Sequence, residues 1–118
     1  GVAPLSTRLV HLFSNFVCER IPDLLPSEIT SFTSALTSSA LPMDEFWLFM
    51  LAKRVQDTTE SFNAEQITII AKRYADKSLE DDEFFEALAN RIISSPQEFS
   101  LAQLAGFMLS CAKVRYLS

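Results

Sequence analysis

The sequence predicts an all-α fold, a short α-solenoid of about three helical-hairpin repeats with six helices. The first observation is a repeat of about 37–38 residues, in which the segment Phe62–Ile67 (FNAEQI) returns as Phe99–Leu104 (FSLAQL). The second is that Glu45–Trp47 (EFW) returns as Glu83–Phe85 (EFF). Helix pairs of this length stack side by side in repeat proteins, which act mainly as binding and scaffolding modules.

Composition indicates one folded domain over residues 1–118, which begins and ends in mid-repeat. The chain has 118 residues, 48% of them hydrophobic, and only two glycines. That apolar content is enough to bury a core, and the length fits a single domain. The net charge is −5, whereas proteins that bind nucleic acid usually carry a basic face.

The two cysteines and the short apolar runs further restrict the class of protein to which the chain can belong. Cys18 and Cys111 are far apart in sequence and do not have the spacing of metal ligands. We expect two reduced, buried thiols in an intracellular compartment, with a disulfide as the alternative. No apolar run in the sequence approaches the ~20 residues that a membrane span needs. The first residue is Gly1, which fits either a processed terminus or the edge of a longer chain.

Six helices follow from the apolar period and the capping signals. Ser6 is the expected N-cap of the first helix, and Asn63 and Ser100, each followed by Gln three residues later, predict capping boxes. The predicted spans are residues 6–20, 27–38, 42–56, 64–77 and 80–94, and a sixth helix after Ser100. Short connectors between them predict antiparallel neighbours.

Apolar stripes predict which residues face the core. In the first helix the stripe is Leu9, Leu12, Phe13, Phe16 and Val17; in the third it is Phe46, Trp47, Met50 and Leu51; in the fifth it includes Phe84, Phe85, Leu88, Ile92 and Ile93. We align Leu9 with Phe46 and Phe84, Trp47 with Phe85, and Ile29 with Ile67 and Leu104. The second helix has a Ser/Thr-rich opposite face from Thr30 to Ser38, which depends on its neighbours because Ser and Thr are poor helix formers.

The repeat pattern, carried by Phe62–Ile92 and again by Phe99–Ala112, resembles the organellar helical repeats of the octotricopeptide and heptatricopeptide type. Such repeats are found beside RAP domains and in FAST-kinase-like mitochondrial proteins. The resemblance implies a mitochondrial location, with a plastid as the lesser alternative. It also implies a role in organellar RNA metabolism or as a structural subunit of a large organellar assembly. The chain departs from the RNA-binding members of that group because it is acidic and has about three repeats.

Catalytic and metal-binding motifs are missing from the sequence. His11 has no partner at the spacing of a metal site. The acidic run Glu80–Glu83 lacks the alternating oxygens and glycine of a calcium loop, and carboxylates at a helix start are explained by the helix dipole. No phosphate loop, nucleophile elbow or HExxH sequence occurs. We therefore expect no enzyme activity, no cofactor and no metal.

Two sets of residues are candidates for binding. Basic residues on neighbouring helices are the candidate RNA contacts: Lys53, Lys72, Arg73 and Arg91. Solvated helix faces are the more expected explanation for them, because Asp57, Glu65 and Asp76 dilute any positive patch. The last helix is the candidate partner-binding surface, because no second helix follows to cover its apolar residues: Leu101, Leu104, Phe107, Met108, Leu109 and Tyr116. The Ser/Thr-rich face of the second helix is the next candidate.

The sequence thus favours a non-catalytic helical-repeat subunit. We expect it to dock by protein–protein contact in a larger mitochondrial complex such as a mitoribosome, an ATP synthase or a respiratory assembly. The alternative is an RNA-binding repeat module of organellar RNA processing or translation. Because the chain carries a net charge of −5, we favour protein docking over RNA binding.

Overall fold

The computed structural model describes residues 4–38, 45–79 and 81–116. Six α-helices occur in these ranges, and no strand does, so the predicted all-α class is confirmed. The helices are α1 (Leu5–Arg20), α2 (Pro26–Ser38), α3 (Glu45–Asp57), α4 (Ala64–Asp76), α5 (Asp82–Ser94) and α6 (Leu101–Lys113). The predicted start of the third helix at Pro42 or Met43 lies outside the described residues.

One turn of 3-10 helix precedes each even-numbered helix. These turns are Ile21–Asp23, Thr59–Ser61 and Pro96–Glu98. Asn63 and Ser100 then begin α4 and α6 with the predicted capping boxes: the Asn63 and Ser100 side chains accept from the Gln66 and Gln103 N–H groups at 2.8 and 3.1 Å. Ser6 was wrongly predicted as the first cap. The N-cap of α1 is Pro4, whose side chain has no acceptor for the helix N–H groups.

Helices two apart in the chain lie side by side. The extensive contacts are α2 with α4 and α4 with α6, and the odd-numbered helices α1, α3 and α5 contact one another in the same order. The molecule measures 55 × 29 × 21 Å along its principal axes. This order places α1 and α2 at one end of two parallel rows of helices and α5 and α6 at the other end.

The aligned positions of α3 and α5 differ by one residue from our prediction. Both helices contain 13 residues, and their starts, Glu45 and Asp82, are 37 positions apart. Residues of α3 and α5 that are 37 positions apart are buried in both helices. These pairs are Trp47 and Phe84, Leu48 and Phe85, Leu51 and Leu88, and Val55 and Ile92. Pairing Phe46 with Phe84 was wrong, because Phe46 is 54% exposed and Phe84 is fully buried. EFW begins at the first residue of α3, whereas EFF begins at the second residue of α5. The position of a residue within its helix decides the face on which it lies, so the two strings do not align.

Three other expectations about the core are corrected. In α1, Leu9, Leu12, Phe13 and Phe16 are exposed, and Val17 is the buried residue. Ile93, expected to face inward, is 72% exposed. In α2, Thr30, Thr33 and Thr37 are buried, so these residues are not available to a partner. The Thr30 and Thr37 hydroxyls donate to the Pro26 and Thr33 carbonyls one turn earlier, which satisfies them inside the fold.

Tyr74 joins the two rows of helices in the core. Its hydroxyl donates to the Leu48 carbonyl at 2.6 Å, and its ring lies 4.7 Å from the Phe84 ring, centroid to centroid. Burial raises the pKa of the Tyr74 phenol well above its ordinary value, so the hydroxyl keeps its proton. The bond therefore ties α4 to α3 while the ring packs against α5.

Candidate functional site

The α6 outer face is an exposed apolar surface at one end of the fold. We use this name for Leu101, Leu104, Ala105, Met108 and Leu109. Leu101 is 85% and Leu109 75% exposed, Met108 is also exposed, and Leu104 is half-buried. The predicted outward positions Ala102, Ala105 and Gly106 are exposed as well, and a Cβ at Gly106 would meet nothing within 4 Å.

Two residues predicted for this surface lie elsewhere. Phe107 is buried, so its ring is not available to a partner. Tyr116, which is half-buried, lies in the turn after α6, with its ring 6.4 Å from the Phe85 ring, centroid to centroid. Phe107 and Tyr116 therefore hold α6 and its last turn on the fold, and the remaining residues of the predicted set form the α6 outer face.

Comparison with α4 explains why this face is open. Ala71 and Ala75 of α4 are fully buried, whereas Met108 and Ala112, 37 positions later in α6, are exposed. Helix α4 packs extensively against both α2 and α6, whereas the extensive contact of α6 with the even-numbered helices is with α4. The part of the open face around Met108 is thus equivalent to a surface that is buried in α4, whereas Leu109 is equivalent to Lys72, which is exposed.

A second apolar surface lies on α1, at the opposite end. A cavity of about 480 Å³ opens between α1, α2 and α3. Its lining is apolar except for Arg20: Leu9, Val10, Leu12, Phe13, Phe16, Val17, Leu24, Phe32 and Trp47. We call this cavity the α1 groove. The Arg20 guanidinium covers the Phe16 ring at 4.2 Å from its centroid.

Aromatic rings from α1, α2 and α3 meet along the groove. The Phe13 ring lies 5.4 Å from Phe32 of α2 and 5.6 Å from Trp47 of α3, and the Trp47 indole N–H donates to the Ser14 hydroxyl. The sequence reasoning missed this surface because it assigned the α1 stripe to the core. An apolar period shows which face of a helix is hydrophobic, but it does not show whether another helix covers that face.

The candidate RNA contacts do not form one surface. Lys53 of α3 and Lys72 of α4 are exposed, and Arg73 is half-buried. Lys53 borders a depression of about 630 Å³ whose other charged lining residues are all acidic, namely Glu45, Asp81, Asp82 and Glu83. A polyanion approaching Lys53 would therefore meet more negative than positive charge.

The Arg91 side chain is held inside the fold and is therefore not available for contact with RNA. It is buried, with Nε donating to the Thr59 carbonyl at 3.2 Å and Nη2 to the Phe62 carbonyl at 3.0 Å. Nη2 also pairs with the Glu98 carboxylate at 2.7 Å. The side chain thus links two connectors of the chain, residues 59–62 and 96–98, and its Nε and Nη2 donors are used within the protein.

Both cysteines are free, Cys18 half-buried and Cys111 buried. Burial raises the pKa of the Cys111 thiol from its ordinary value of 9.0 to about 11, so it is a poor nucleophile at neutral pH. No cluster of three or more His, Cys, Asp or Glu side chains suited to a metal occurs among residues 4–38, 45–79 and 81–116. Within the same ranges, every helix is too short or too polar to cross a lipid bilayer.

Two apolar surfaces at opposite ends of the described residues are thus candidate surfaces for contact with another molecule. Comparison with protein-family models, with curated proteins and with solved structures finds no match to this chain.

Proposed function

We propose that the protein is a non-catalytic helical-repeat element that docks onto other proteins by helix–helix contact. The observation that carries this proposal is that Leu104 and Met108 of the α6 outer face are equivalent to Ile67 and Ala71, which are buried in α4. Residues at those positions pack against a helix inside this same fold, and contiguous exposed apolar patches mark interaction sites on proteins.

The chemistry of the α6 outer face suits an apolar helix as the partner. Leu101, Met108 and Leu109 supply side chains that gain by leaving water, at roughly 1.5–3 kcal/mol for each one fully buried. Ala102, Ala105 and Gly106 are small, so the backbone of a partner helix can approach closely. A stable interface removes about 800 Å² from each partner, so we expect the turns that flank α6 to take part in the contact as well.

The cellular setting of the proposal comes from the family resemblance. Organellar helical repeats imply a mitochondrial complex, with a mitoribosome, an ATP synthase or a respiratory assembly as examples. RNA binding stays the second possibility from that resemblance. It receives no support from the placement of the basic residues, because Arg91 is buried and Lys53 stands among carboxylates.

Tagged protein purified from organelle lysate, with mass spectrometry of the co-migrating subunits, tests the proposal. We expect Leu109→Glu to abolish incorporation into the complex. Ile93→Glu is the matched control, because Ile93 is as exposed as Leu109 but lies on α5. Normal incorporation of the Leu109 variant, or equal loss in both variants, would place the docking surface elsewhere.

A further inference from the structure

Arg54 of α3 and Arg91 of α5 occupy equivalent positions in the repeat, 37 residues apart. Arg91 uses its Nε and Nη2 donors on two backbone carbonyls and on the Glu98 carboxylate. Arg54 is half-buried, and within the part of the chain that the structure describes its Nε is buried without a hydrogen-bond partner. A guanidinium donor that has lost its water without gaining an acceptor is costly. Arg91 therefore has its acceptors within the fold, whereas Arg54 has a donor that the described residues leave unpaired.

Ser61 occupies the place after α3 that Glu98 occupies after α5. Thr59–Ser61 and Pro96–Glu98 are single turns of 3-10 helix, 37 residues apart, and these two residues end them. In both turns the N–H of the following residue donates to the carbonyl of the first residue, at 3.2 and 3.1 Å. Each of the two residues lies seven positions after its arginine. Because Ser61 is exposed, an accessible hydroxyl stands where the other turn has a carboxylate.

We propose that Ser61 is a site of phosphorylation and that its phosphate group accepts hydrogen bonds from the Arg54 guanidinium. A kinase transfers the terminal phosphoryl group of a nucleoside triphosphate to the Ser61 Oγ. The bond between Oγ and phosphorus forms, the bond from that phosphorus to the bridging oxygen breaks, and a nucleoside diphosphate leaves. The hydroxyl proton passes to a base of the kinase.

A phosphate suits this position by its charge and by its number of acceptors. Phosphoserine carries a charge of about −1.5 to −2 at neutral pH and has three strong acceptor oxygens. The Nε and one Nη of an arginine form a fork that takes two such oxygens side by side, so one phosphate can satisfy the buried Nε of Arg54 and an outer nitrogen together. Glu98 is the precedent within the fold, since its carboxylate lies 2.7 Å from the Arg91 Nη2.

The contact would tie the connector between α3 and α4 to α3, as Glu98 ties the connector between α5 and α6 to Arg91 of α5. Ser61 lies between α3 and α4 and is not part of the α6 outer face. The proposal therefore does not rest on the proposed docking function, and either can fail without the other.

Thermal unfolding of the full chain, made with phosphoserine at position 61, tests the contact. We expect its Tm to lie about 3 °C above that of the unmodified protein, and Ser61→Glu to give a smaller rise. Arg54→Met is the matched background, because it keeps an apolar stem, removes the donors and breaks no hydrogen bond of the Arg54 Nε. In that background neither change should raise Tm. No rise in the protein that retains Arg54, or an equal rise in both backgrounds, overturns the proposal.

Two further measurements identify the source of the phosphate. Inorganic phosphate, compared with chloride at equal ionic strength, should leave the Tm of the unmodified protein unchanged. A rise that requires Arg54 would make a free anion the ligand and would overturn modification of Ser61. Peptide mass spectrometry of the protein isolated from its native cells should find a phosphoryl group on Ser61, and its absence from that residue also overturns the proposal.

Discussion

Ser78 and Arg115 take the same left-handed backbone conformation, with φ of 56° and 63°, at positions 37 residues apart. Ser78 follows α4 and Arg115 follows α6. In each case the next residue reaches back five positions: the Leu79 N–H donates to the Tyr74 carbonyl at 3.2 Å and the Tyr116 N–H to the Cys111 carbonyl at 2.8 Å. This arrangement is the helix ending usually provided by glycine. The repeat therefore extends from the side chains to the backbone turn that ends each even-numbered helix.

Glycine at Ser78 should stabilise the protein. A left-handed conformation costs a residue with a Cβ roughly 1–2 kcal/mol, whereas glycine adopts it freely. We expect Ser78→Gly to raise the free energy of unfolding by about 0.5–1 kcal/mol, because glycine also gains entropy in the unfolded chain. Chemical denaturation measures the change. Ser78→Ala keeps the Cβ and should give no gain; an equal gain in both variants would contradict the explanation.

Phe85 should contribute far more stability than Phe46. Phe85 is fully buried, so truncation to Ala should lower the free energy of unfolding by ~3–5 kcal/mol. Phe46 is more than half exposed, and Phe46→Ala should cost less than about 1 kcal/mol. Urea denaturation of both variants measures the difference. Equal losses would support the alignment of Phe46 with Phe84 that the structure replaces.

Removal of the Arg91 side chain should destabilise the fold through the connectors it joins. Arg91→Ala removes a donor from the Phe62 carbonyl and one of the two donors of the Thr59 carbonyl, which keeps the Phe62 N–H, at a cost of roughly 2–4 kcal/mol. Lys53→Ala removes an exposed cation and is the control, with an expected change within about 0.5 kcal/mol. Thermal unfolding compares the two variants. An Arg91→Ala variant as stable as the unmodified protein would contradict the structural role of this side chain.

RNA binding by the chain should be weak and non-specific. The net charge of −5 opposes a polyanion, and the exposed cations Lys53 and Lys72 are on different helices. Fluorescence anisotropy with mixed single-stranded RNA at physiological salt measures the affinity. A sub-micromolar Kd that is lost on Lys72→Glu with Arg73→Glu would promote RNA binding above docking.

Stability should fall at alkaline pH through Cys111. The folded state holds the pKa of this buried thiol at about 11, against its ordinary value of 9.0. Below pH 9.0 both states keep the proton and Cys111 adds no pH dependence. Between pH 9.0 and about 11 the unfolded chain ionises first, so the free energy of unfolding decreases as pH rises.

Cys111→Ala isolates that contribution, because other groups also titrate at alkaline pH. The variant should show a shallower decrease than the unmodified protein over the same pH range, measured by urea denaturation. A thiol reagent at neutral pH should modify half-buried Cys18 before Cys111. Equal slopes in the two proteins, or faster reaction at Cys111, would contradict the burial of the thiol.

The sequence by itself determined the helical class, the six helices and two of their caps. Apolar periods and the Asn63 and Ser100 capping boxes are local, so a few residues within one helix are enough to predict them. The similarity of FNAEQI to FSLAQL likewise predicted that α4 and α6 are equivalent. The two α-helices keep that equivalence in their caps, in their 37-residue spacing and in the turns at Ser78 and Arg115.

Only the tertiary structure decided which apolar stripes are covered. The stripes of α1 and α3 look alike in sequence, but α3 lies between α1 and α5, whereas α1 stands at the end of its row. The same reasoning explains why Arg91 is buried and Lys53 is exposed. The Arg91 side chain is held inside the fold because a distant segment, residues 59–62, supplies carbonyls that accept its hydrogen bonds. Burial depends on neighbours that are far away in the chain, and a local pattern carries no information about whether such a neighbour is present.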